Sequence, residues 1–176
     1  MWYSFDKPPH IVSDYIAYKS ESLVKSGHEC FHAGWDFGNF IYLLSKNVPG
    51  LRIIISIRDP LYACNSLLAF RPWVYKNNDA AIQYVVHYSR ILSQIQLMKV
   101  KPWWIEFDDY VKGKYTKAFF KFFRIPDTRR NRKKATDFLT QKINSSGNYE
   151  LIDSPHLFAA GREIIGEIKN ECPEFR

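Results

Sequence analysis

Cysteine is scarce in this chain: Cys30, Cys64 and Cys172 are the only three in 176 residues, and no two stand at a Cys-x-x-Cys spacing. That pattern suggests neither a disulfide framework nor a zinc site, and it makes a reducing, cytoplasmic setting the default expectation. No apolar run reaches the roughly 20 residues that a membrane-spanning helix needs. The opening Met1-Trp2-Tyr3-Ser4-Phe5-Asp6 has no signal-peptide pattern, and no internal repeat is visible. Acidic residues are outnumbered, 18 against 25 Lys and Arg, for a formal charge of +7. Apolar residues are plentiful, at 46% hydrophobic with 16% aromatic. In a chain of this length they can bury one substantial core, so a single α/β domain over residues 1–176 is expected.

The most informative stretch is Arg52-Ile53-Ile54-Ile55-Ser56-Ile57-Arg58-Asp59-Pro60, which runs on as a helical pattern through Ser66 to Phe70. An isoleucine run without polar alternation suits a strand covered on both faces. Asp59 as N-cap and Pro60 at the first helical position then signal a helix start. The unpaired N–H groups and dipole of a helix N-terminus favour an anion, and Arg58 adds a charged planar fork suited to phosphate oxygens. Ser66 follows Arg58 by about two helical turns. If Arg58 folds forward over the helix, both side chains can hold one phosphate. The bland alternative is an ordinary capped turn with a serine on the helix surface.

With its flank Asn47-Val48-Pro49-Gly50-Leu51, this block resembles the 3′-phosphate-binding segment of the sulfotransferases that use 3′-phosphoadenosine 5′-phosphosulfate (PAPS). The resemblance gives Arg58 and Ser66 the role of holding the 3′-phosphate. A second segment agrees in order and spacing: Trp103-Trp104-Ile105-Glu106-Phe107-Asp108-Asp109-Tyr110 reads as a short strand running into acidic residues. Lys117-Ala118-Phe119-Phe120-Lys121-Phe122-Phe123-Arg124-Ile125-Pro126 then reads as a helix stopped by proline. Phe107 stands where many members carry a Tyr near the adenine. Phe119, Phe122 and Phe123 at helical spacing are expected to be core. The resemblance covers about residues 30 to 126.

It further implies a P-loop NTPase-like architecture, with a three-layer parallel sheet and helices on both faces. The activity would be metal-free transfer of a sulfuryl group from PAPS to a hydroxyl or amine of a small-molecule or carbohydrate acceptor. In some members a His on the strand before the 3′-phosphate segment acts as general base. His32, in Cys30-Phe31-His32-Ala33-Gly34-Trp35, matches in order, and a neutral imidazole can take the proton of an acceptor hydroxyl. Asp36 is a weaker substitute. The family's N-terminal loop for the 5′-phosphosulfate has no counterpart. Lys25-Ser26-Gly27-His28-Glu29 shares a Lys-Ser-Gly with it but has no strand leading in, and reads better as a helix end with Gly27 beyond it. The expectation is therefore an N-terminally reduced or incomplete sulfotransferase-like domain, either active or inactive for want of that loop. If an N-terminal anchor is missing, a secretory-pathway lumen replaces the cytoplasm as its setting. A P-loop kinase is disfavoured by the lack of any Gly-x-x-x-x-Gly-Lys-[Ser/Thr].

Elsewhere elements alternate as a parallel sheet with helices requires. His10 to Ser13 is a candidate strand and Tyr18 to Lys25 a short helix. Asn39 to Lys46 reads as a helix, and so does Asp79 to Lys99, with Ala81, Val85, Tyr88, Leu92 and Ile95 on one stripe. Trp103 to Phe107 is a strand and Pro155 to Asn170 the last helix. The basic run Arg129-Arg130-Asn131-Arg132-Lys133-Lys134 is read as a solvated helix face, with an anion site as the sharper alternative. A second function class remains: a basic nucleic-acid-binding or scaffold protein without catalysis, using Trp103, Trp104, Phe107 and Tyr110 beside Lys112 and Lys114 to stack bases and track phosphates. No nucleic-acid motif supports it.

Overall fold

The structure is a computed structural model and describes residues 40–70, 77–140 and 154–176. Within them the chain forms α1 (Ile41–Asn47), β1 (Ile54–Ile57), α2 (Pro60–Phe70), α3 (Asn77–Leu97) and β2 (Trp103–Glu106). Then come α4 (Phe107–Val111), α5 (Thr116–Phe122), α6 (Arg129–Thr140) and α7 (Pro155–Glu171). The strand candidates at His10 and Cys30, the helix at Tyr18 and the loop Asn144 to Asn148 lie outside the described residues.

The isoleucine run forms β1 and pairs in parallel with β2, Ile54 opposite Trp103 and Ile57 opposite Glu106. Trp103 N–H donates to Ile53 O at 2.8 Å to start the ladder. Successive strand residues use opposite edges, so Trp104 bonds the other way: its N–H donates to Pro173 O at 3.1 Å and its carbonyl accepts Phe175 N–H at 3.0 Å. The last residues of the chain thus add a short parallel bridge along β2. The architecture is mixed α/β. Among the described residues the sheet has two strands, where the sequence led to the expectation of a wider one.

Alternation along the strands divides the packing. Ile55 and Ile57 face the larger core, made with Cys64 and Leu68 of α2, Tyr84, Tyr88, Ile91 and Ile95 of α3, and Phe158, Ile165 and Ile168 of α7. Ile105 faces a smaller aromatic cluster with Tyr115 and Phe175, joined by Ile54, Trp103 and Phe119. On α3 the expected stripe is buried at Ala81, Tyr88, Leu92 and Ile95, while Val85 is half-buried and Tyr84 and Ile91 share the work. The α5 expectation needs correction. Phe120 is the buried residue of this two-turn helix; Phe119 packs on the small cluster, Phe123 is half-buried and Phe122 is 38% exposed. A helix this short over so small a cluster cannot cover all its rings.

α3 and α7 are the most closely packed pair of helices, and α2 lies against both. Gly161 permits this: a Cβ there would stand 2.9 Å from Pro60 Cγ and 3.0 Å from Tyr84 Cε1. The basic run falls on α6, with Arg129, Arg130, Arg132, Lys133 and Lys134 all exposed. Thr128 Oγ1 caps that helix by accepting Asn131 N–H, and Arg132 folds back onto Asp127 through two bonds of 2.6 and 2.8 Å.

Candidate functional site

At the C-terminal end of β1 the main chain is fixed before any side chain is aimed. Ile57 is fully buried. Two tyrosines one turn apart on α3 then hold the strand end from the core side: Tyr88 Oη donates to Ser56 O at 2.9 Å and Tyr84 Oη to Arg58 O at 2.6 Å. Burial pushes both phenols well above the ordinary tyrosine range, so they stay protonated and serve as donors.

Arg58 leaves this anchored backbone with its side chain 24% exposed. Its guanidinium lies over the Phe107 ring, 4.8 Å from the centroid, with the Tyr62 ring at 5.9 Å. Nε and Nη2 both reach one oxygen of Asp108 at 3.2 Å, and that carboxylate is 47% exposed. Tyr62 and Ser66 are four residues apart on α2 and therefore share a helix face. No hydrogen bond joins Arg58 to Ser66. Phe107 and Asp108, at the start of α4, are its immediate partners.

The helix N-terminus behaves differently from the expectation. Asp59 caps α2, as predicted, with Oδ1 accepting Leu61 N–H at 3.0 Å. Pro60 has no N–H to offer, and the anion at this terminus is Asp59 itself. Arg162 of α7 holds that carboxylate from outside, Nε to Oδ2 at 2.8 Å. Partial burial works to raise the Asp59 pKa, but the Arg162 and Leu61 hydrogen bonds and the Arg162 charge outweigh it and hold the carboxyl below the usual range. An external anion at this end would therefore meet the Arg58 side chain rather than the backbone of α2.

The end of β2 carries charge that the sequence did not flag. Glu106 pairs with Lys169 of α7, whose ammonium also sits 5.1 Å from the Trp104 ring centroid. Beside them Glu174 gathers Tyr115 Oη, Lys114 and Arg176, and these hydrogen bonds hold its carboxyl low against the opposing effect of burial. Only the acidic pair after β2 was legible beforehand. Nothing local in the sequence marks Glu106 for Lys169, 63 positions away.

The remaining candidates separate from this site. His32 and Asp36, the candidate bases, lie outside the described residues, as does Lys25 to Glu29. Cys64 and Cys172 are buried thiols pushed up to about 12 and about 11 chiefly by desolvation, which makes them poor nucleophiles. Trp103 and Trp104 point to opposite faces of the sheet and cannot form one stacking row. Among the described residues no cluster of His, Cys, Asp or Glu is set to hold a metal, and no helix is long and apolar enough to cross a membrane. Compared with protein-family models, with curated proteins and with solved structures, the chain matches none.

Proposed function

We propose that this chain is a sulfotransferase-like protein whose C-terminal strand end binds the 3′-phosphate of PAPS through Arg58 and Ser66. The observation that carries the reading is the placement of Arg58 at the strand end, its backbone anchored by Tyr84 and its guanidinium flanked by Phe107 and by Tyr62, one helical turn before Ser66 on α2. Asp108 is the ground-state partner that a phosphate must replace. Half-exposed ion pairs of this kind contribute about 0–1 kcal/mol, so a dianionic phosphate making bidentate bonds to Arg58 outcompetes it. Phe107 sits where the resembling family carries an aromatic residue near the adenine.

In this reading β1 and β2 belong to a wider parallel sheet of the P-loop NTPase-like type, and the reaction is sulfuryl transfer to a hydroxyl or amine acceptor. The acceptor oxygen or nitrogen bonds to sulfur as the bond from sulfur to the 5′-phosphate oxygen breaks. The acceptor proton passes to a base, for which His32 is the candidate. Catalysis consists of orienting the two substrates and stabilising the departing phosphate.

Calorimetric titration with 3′-phosphoadenosine 5′-phosphate tests the site. The wild type is expected to bind it and to prefer it over adenosine 5′-phosphate, Arg58→Ala to lose at least tenfold in affinity, and Asp108→Asn to gain. Equal affinity in wild type and Arg58→Ala would sink the role given to Arg58.

A further inference from the structure

A second charged concavity lies at the opposite end of the strand pair, and none of the site residues expected from the sequence lies in it. It has a volume of about 260 Å³ and is floored by the start of both strands, with the ends of α1 and α3 as walls. Four cations line it: Lys46, Arg52, Lys99 and Lys101. Among the described residues no carboxylate does, and the one carboxylate there that pairs with any of the four is Glu171, on Lys101 at 3.1 Å.

Two of the four cations have a structural duty. Both helices present their carbonyl ends here, where positive charge is favoured. Lys46 sits in the last turn of α1 with its ammonium 5.5 Å from the Tyr42 ring centroid, and Lys101 donates to Ile95 O at 2.9 Å. Arg52 and Lys99 are surplus to that duty. Both are exposed, and Arg52 lies across the Trp103 ring at 5.6 Å, which orients its fork at the pocket floor. Gly50 turns the chain at the rim with a φ of 74°, beside open space.

From this unbalanced charge in a concave site we infer that the pocket binds a tetrahedral oxyanion, the sulfate or phosphate ester group of a small ligand. Its volume falls just below the roughly 300 Å³ at which pockets for drug-sized ligands begin, which suits one ester group and the ring that carries it. Arg52 supplies the bidentate fork and Lys99 a mobile point charge. The site is separate from the Arg58 end: six residue steps of extended chain, from Arg52 to Arg58, place the two about 20 Å apart.

The test uses Arg58→Ala protein, in which the proposed 3′-phosphate site is weakened, and probes that carry no adenosine 3′-phosphate. Calorimetric titrations are run with a sulfated heparin-type disaccharide and, separately, with glucose 6-phosphate. At least one is expected to bind and to be displaced by inorganic sulfate, the disaccharide alone assigning a sugar sulfate and the sugar phosphate alone a phosphate ester. Adding Arg52→Ala and Lys99→Ala is expected to weaken binding at least tenfold, whereas the charge-preserving pair Arg52→Lys and Lys99→Arg retains most of it. Absence of binding by either ligand at millimolar concentration, or equal affinity with the two alanines present, would overturn the inference while leaving the Arg58 reading to its own titration.

Discussion

The two ends of one short parallel strand pair carry charge in opposite ways. At the C-terminal end every described cation has an anionic partner: Arg58 with Asp108, Arg162 with Asp59, Lys169 with Glu106. At the N-terminal end four cations share, among the described residues, the one carboxylate of Glu171. The end at which the sequence places its site residues is the one already neutralised, and a ligand there must displace a carboxylate. The other end has unspent charge. A motif reports which residue types stand at a strand terminus; whether they are available depends on partners that the fold brings from 50 or 103 positions away. α7 takes part at both ends, since its Arg162 and Lys169 serve one and its Glu171 serves the other.

The largest expected effect comes from unseating α7. Gly161→Ala drives a methyl group into Pro60 and Tyr84 at 2.9 and 3.0 Å, and overpacking of this kind costs about 2 kcal/mol. A lower thermal midpoint is expected, together with weakened nucleotide binding at the Arg58 end; an unchanged melting curve would show that the contact relaxes freely. Tyr84→Phe acts more narrowly. It removes the 2.6 Å bond to Arg58 O and leaves that carbonyl without its donor, a loss of about 1.5 kcal/mol. The contrast between the ends predicts that oxyanion binding on Arg52 and Lys99 survives Tyr84→Phe, and titration of both sites in that variant checks it.

Legibility in the sequence tracks how local each determinant is. The Asp59-Pro60 start of α2, the apolar β1 run and the long helix α3 depend on neighbours within a few residues, and all three elements stand where the pattern put them, although Ser56 on β1 is exposed and Tyr84 and Ile91 join the α3 stripe in place of Val85. The Cys172 to Phe175 segment gave no strand signal: it is short and contains Pro173, and it pairs only because β2 has a free edge beside it. The small aromatic cluster was misread for the same reason. Helical spacing cannot say that Phe175, from the end of the chain, takes the place on Phe119 that Phe122 was expected to share. For the site, Arg58 was legible as a strand-end arginine, but its engagement with Asp108 and Phe107 was not.

Asp59→Asn gives the smallest and most discriminating effect. Asparagine keeps the cap on Leu61 N–H, so the substitution removes the charge that Arg162 holds and little else. Because the folded carboxyl titrates below its ordinary value, its stabilising contribution is fully present above the unfolded value of roughly pH 4 and is lost as the pH falls through the lower folded value. The variant should therefore melt slightly below the wild type at neutral pH, and the two curves should converge in acid. High salt should narrow the neutral gap as well, since the pair is solvent-exposed. A gap that persists in acid would show that Asp59 acts through its geometry as a cap and not through its charge. The neutral end of the strand pair would then owe less to ion pairing than its distances suggest.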